Sequence, residues 1–135
     1  MLTQTNFNQA STSHILAANE ETYSASSPLF ARLAILAKQQ KWIIFTDQVA
    51  LPTVSELHMF HIEAKKVIKM KSSQVMSEKD VIMKVLSINN ASAIVTGDEF
   101  SHQERQQIEL QAQQTGCEVF FISQAIQQTL TRNMH

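Results

Sequence analysis

A small α/β domain, built on an open, mostly parallel four-stranded sheet flanked by helices, is the fold the sequence predicts. Three observations point to it. Trp42 to Thr46 is an unbroken run of aromatic or β-branched residues, the pattern of a strand covered on both faces. Segments with helical periodicity, each opened by a serine or threonine, alternate with short apolar runs, which calls for strand–helix–strand units. The chain has 135 residues, 44% of them hydrophobic, enough for one core and not for two.

Residues 1–27 are rich in Ser, Thr, Asn and Gln and poor in large apolar residues. They read as a disordered arm, unable to bury enough surface to offset chain entropy. The α/β domain spans 28–123. Ser27 and Pro28 form a cap and first-turn pair, and Leu29, Leu33 and Leu36 make the apolar stripe of a helix that runs to about Gln40. It delivers the chain into Lys41–Asp47, read as the central strand. After Pro52, Thr53 and Glu56 make a capping box for a short helix to about Phe60, whose apolar side presents Val54, Leu57 and Phe60.

Lys65 to Lys71 reads as a second strand with lysines on both faces, which places it at the sheet edge, where lysine discourages pairing with other chains. Ser77 caps the next helix, with Met76 and Val81 at the positions of a hydrophobic staple. Val81, Ile82, Val85, Leu86 and Ile88 form its stripe, and Asn89-Asn90 can close it in a left-handed conformation. A strand over Ser92–Thr96 ends at Gly97. Ser101 and Glu104 are another capping box; the helix they open buries Ile108 and Ala112 and stops at Gly116, before the last strand, Glu118–Ile122. Residues 124–135 form a tail. Right-handed crossovers give the spatial order 2-1-3-4, and an enzyme site would sit at the strands' carboxyl ends, beside Asp47 and Gly97.

Composition narrows the chemistry. A net charge of −1 gives no electrostatic footprint for nucleic acid or an anionic membrane. A single cysteine, Cys117, forms no internal disulfide and fits a reducing compartment. The apolar runs are too short for a membrane span, and the amino terminus lacks the basic and apolar regions of a secretory signal. A cytosolic protein is expected. Two glycines, Gly97 and Gly116, cannot build a phosphate-cradling loop. Asp47 and Asp98 follow strands as catalytic acids often do, and as solvated loop acids do too. His58 and His61, with Glu56 and Glu63 nearby, have a zinc-like spacing but lack a closed set of four ligands; solvated helix-end histidines account for them. Cys117 reads as a small buried hydrophobe.

A leucine-rich helix, QQKWIIFTD, a short helix, the basic KKVIKM, a helix opened by serine, AIVTG, DEFSHQERQQIEL and a closing VFFI follow one another from Leu29 to about Ser123. In order and spacing this resembles the SulA family of bacterial cell-division inhibitors. The resemblance implies a RecA-like domain without the nucleotide-binding loop, made in the SOS response to DNA damage. It implies a protein that binds the division protein FtsZ and blocks its polymerisation by sequestering subunits, with no catalysis and no cofactor. Carried over residue by residue, FtsZ binding falls on Lys41, Trp42 and Lys66. Thr46 stands where the family has an apolar residue, and Leu57, Met59 or Phe60 supply the bulk of a family tryptophan. The family's turnover by Lon protease implies a role for the C-terminal tail with His135.

Two other readings stand beside this one: a RecA-like accessory protein of the ImuA type, acting in SOS mutagenesis through protein contacts, and a small enzyme using Asp47 and Asp98. A homodimer is expected from the generous apolar helix faces.

Overall fold

A computed structural model describes residues 13–16 and 22–123, with side chains from residue 28 onward. In chain order the elements are β1 (Ser13–Leu16), α1 (Thr22–Leu36), β2 (Trp42–Phe45), α2 (Val54–Met59), a 3₁₀ turn (Ala64–Lys66), β3 (Val67–Lys69), α3 (Glu78–Ile88), β4 (Ala91–Gly97), α4 (His102–Thr115) and β5 (Glu118–Ile122). The strands lie in the order β1-β5-β4-β2-β3, and every neighbouring pair is parallel. The four strands read from sequence take up the expected order 2-1-3-4, here β3-β2-β4-β5.

Two expectations are corrected at the amino-terminal side. Ser13–Leu16, inside the stretch read as a disordered arm, forms a fifth strand paired in register with Val119–Ile122. Residues 1–12 and 17–21 of that arm lie outside the described residues, as does the 124–135 tail. The first helix begins at Thr22, not at Pro28, which sits inside it; proline removes one intrahelical hydrogen bond there without ending the helix. The fifth strand also moves the centre of the sheet. Its middle is β4, buried at all of its positions, while β2 lies one place from the edge and opens on an exposed Trp42.

Alternation along the strands divides the core into two layers. Ile43 and Phe45 of β2, Ala93 and Val95 of β4, and Phe120 and Ile122 of β5 face α1 and α2, meeting Leu29, Phe30, Leu33 and Leu57. Ile44, Ile94, Val119 and Phe121 face α3 and α4, meeting Ile82, Leu86, Ile108 and Ala112. Phe30 and Phe60 stack with ring centroids 5.1 Å apart on the first side. On the second, Phe121 is approached edge-on by Phe100 at 5.9 Å and covered by the Arg105 guanidinium at 4.5 Å. Arg32 of α1 clamps Glu118 at the start of β5, with Arg32 Nε donating to Oε1 at 3.0 Å.

Local chemistry sets the element ends as the sequence predicts. Thr53 and Ser101 accept from the backbone of Glu56 and Glu104, whose carboxylates accept from the cap amides at 2.8 and 2.9 Å. Oε2 of the buried Glu56 has no partner among the described residues, so the box on α2 leaves one acceptor unmet. Asn89 and Gly116 end α3 and α4 with φ of 62° and 71°. His61, also at φ 62°, turns the chain after α2, letting Ile62 N–H donate to Leu57 O at 2.9 Å. The stripes are narrower than read from sequence: Val54 is 69% and Ile88 59% exposed. The second strand is also shorter than Lys65–Lys71, but it does occupy the sheet edge.

Cys117 is buried among Ile108, Ala112 and Phe121. Burial above all pushes its thiol up from an ordinary 9.0 to about 12. The raised value stabilises the fold fully below pH 9.0, and the contribution is lost as the pH climbs toward about 12. At pH 8 the native protein is therefore expected to resist a thiol-reactive dye and to react once urea unfolds it; fast labelling of the native form would contradict the burial.

Candidate functional site

Trp42 begins β2, and its backbone is pinned there: its N–H donates to Asn90 O at 2.9 Å and its carbonyl accepts from Ser92 Oγ at 3.4 Å. The register with β4 slips between Trp42 and Ile43, Trp42 pairing with Ala91 and Ile43 with Ala93. Such an irregularity re-aims the side chain beside it. Opposite the small Ala91, the indole stays 40% exposed.

The turn before β3 reaches the same end of the sheet. Lys66 N–H closes it on Glu63 O at 3.0 Å, and Lys66 Nζ donates to Ala37 O at 2.9 Å and Gln39 O at 2.8 Å. These carbonyls follow the last turn of α1, where free acceptors and the helix dipole favour a cation. Lys41 Nζ donates to Asn89 Oδ1, beyond the end of α3, at 3.1 Å. Gln40, Lys41, Trp42, Lys65 and Lys66 thus line an open groove of about 260 Å³ at the amino-terminal ends of β2 and β3.

Of the residues singled out from sequence, Lys41, Trp42 and Lys66 come together here. Met59, 57% exposed, lies on the outer face of α2, and Phe60 is half-buried against Phe30. Leu57 is a core residue and Thr46 is fully buried at the other end of β2, donating to Thr96 Oγ1 at 3.0 Å, so neither offers a surface. His135 lies outside the described residues. Lys65 and Gln40 were missed; the lysine doublet was visible, but that both of its members line the groove depends on the turn that precedes β3.

Asp47, exposed, and Asp98, half-buried, flank the carboxyl ends of β2 and β4, away from the groove. Thr46, Thr96 and Gln48 fill the space between those strand ends with their own hydrogen bonds, Thr96 reaching Gln48 Oε1 at 3.4 Å. Among the described residues no three His, Cys, Asp or Glu side chains gather as metal ligands would, and no helix is long and apolar enough to cross a membrane. The groove presents an aromatic face among ammonium groups.

No protein-family model and no curated protein matches the chain. Among solved structures, the fold is similar to that of the crystal structure of SulA from Pseudomonas aeruginosa, with a TM-score of 0.65 and 14% sequence identity over 84% of this chain and 98% of that one.

Proposed function

We propose that this chain is a non-enzymatic inhibitor of bacterial cell division, acting in the SOS response by binding FtsZ in the cytoplasm and holding its subunits out of filaments. The observation that carries the reading is the likeness to SulA, which spans 98% of that chain. Physical chemistry supports the mode of action. A subunit whose longitudinal face is covered cannot add the next one, so binding at equal stoichiometry suffices and no bond need be made or broken.

The patch proposed for that contact runs from Lys41 and Trp42 past Lys66 to Phe60 and Met59. Rim lysines chiefly raise the association rate, and aromatic or long apolar anchors give most of the affinity. Turnover by Lon protease through the tail that ends in His135 belongs to the same reading. The test is binding of the purified chain to GDP-loaded, unpolymerised FtsZ by sedimentation velocity. A saturating complex of one chain per subunit is expected, and two separately sedimenting proteins at micromolar concentration would remove the reading.

A further inference from the structure

Lys65 and Lys66 are adjacent in sequence and differ in what they have left to give. The ammonium of Lys66 serves Ala37 O and Gln39 O at 2.9 and 2.8 Å, so an anion arriving in the groove would compete with two carbonyls already in place. Lys65 is exposed and makes no hydrogen bond or ion pair among the described residues. Lys41 has one neutral partner, Asn89 Oδ1, and keeps two donor hydrogens. Among the described residues no carboxylate lines the groove, although the chain as a whole carries a net charge of −1. The positive character is thus local, confined to the walls around Trp42.

Size selects the occupant. At about 260 Å³ and open to solvent, the groove falls below the range of roughly 300–1,000 Å³ typical of small-molecule pockets. It has room for one large side chain resting on the indole. Three lysines line the groove, and a chain with a net charge of −1 lacks the broad positive footprint that binding a phosphate backbone takes. The edge strand β3, which follows Lys66, leaves Ile68 40% exposed.

We infer that the groove takes one apolar side chain from an acidic segment of a partner protein, with Lys41 and Lys65 pairing with carboxylates on either side of it. Lys66 is a positioning residue that ties the turn before β3 to the end of α1. The inference rests on the reading of the chain as a docking protein and names the chemistry of the segment it docks.

Trp42 is the only tryptophan in the chain, so its fluorescence reports the groove directly, in the full-length protein and without FtsZ. The probe is a short blocked peptide with one leucine flanked by aspartates and glutamates. The comparators are the same peptide with lysines in place of the acids and a short single-stranded thymidine oligonucleotide. The acidic peptide is expected to shift the emission saturably and to bind more weakly as salt rises. Lys65→Gln should weaken it about threefold, the scale of one exposed ion pair, and flatten the salt dependence. Lys66→Gln should lower Tm and leave the salt dependence as it was.

No response to the acidic peptide, an equal response to the lysine peptide, or a response to the oligonucleotide alone would overturn the inference. So would a salt dependence that flattens in Lys66→Gln and not in Lys65→Gln. If the peptide fails while FtsZ is still bound, the groove is wrong and the docking reading stands. If the peptide binds while FtsZ is ignored, the groove stands and the partner is another acidic protein.

Discussion

Phe30→Ala is expected to remove a large share of the stability of this domain. The ring is fully buried and stacks on Phe60 at a centroid distance of 5.1 Å, between α1 and the end of α2. Truncating a buried phenylalanine costs about 3–5 kcal/mol, against a total of roughly 5–15 kcal/mol for a domain of ordinary stability. Urea unfolding should therefore show a midpoint lower by about 2 M, taking a slope of roughly 2 kcal/mol per M. Phe30→Leu, which refills most of the space, should lose less than half as much. A midpoint within about 0.3 M of the parent would mean that the α1–α2 layer is not packed as described. Phe60→Ala shares that packing, so any loss of binding in that variant must be read beside its unfolding curve.

Trp42→Ala should have the largest effect on partner binding for the least effect on the fold. With the indole 40% exposed, its removal leaves no closed cavity, and a Tm change of a few degrees at most is expected. Aromatic anchors at interface centres contribute about 2 kcal/mol or more, so the affinity for FtsZ should fall roughly 30-fold. Titration of labelled FtsZ with parent and variant would decide it. Equal affinity would move the contact surface away from the groove even with the function unchanged.

The parts of the fold visible in the sequence are those set by neighbours along the chain. Thr53 with Glu56, Ser101 with Glu104, and the turns at Asn89 and Gly116 all depend on residues no more than a few positions apart, and each stands where the pattern puts it. The edge position of Val67–Lys69 was legible because lysines on both faces of a strand exclude a sandwiched place. Ser13–Leu16 was not, because its hydrogen-bonding partner is Val119–Ile122 at the far end of the sequence, and its flanks have the composition of a loop. That omission made β2 look central. The register slip against β4 beside Trp42 was not legible either, since it belongs to the pairing and not to either strand alone.

The groove was half legible. Lys41 and Trp42 stand out as a basic residue beside the only tryptophan, and the fold places them at one rim. Thr46 and Leu57 share the same segments but point into the core, which strand and helix phase decide only once the layers are known. The division of labour between Lys65 and Lys66 depends on where α1 ends, at Leu36 with a turn through Gln39. That end exposes the carbonyls that Lys66 caps.

Sequestration is tested most directly by the critical concentration of FtsZ in GTP, read from the polymer pelleted at increasing total FtsZ with fixed amounts of this chain. If each chain withdraws one subunit, the apparent critical concentration rises by the amount of chain added, with a slope near one. A critical concentration that stays flat with the chain in excess would contradict the account.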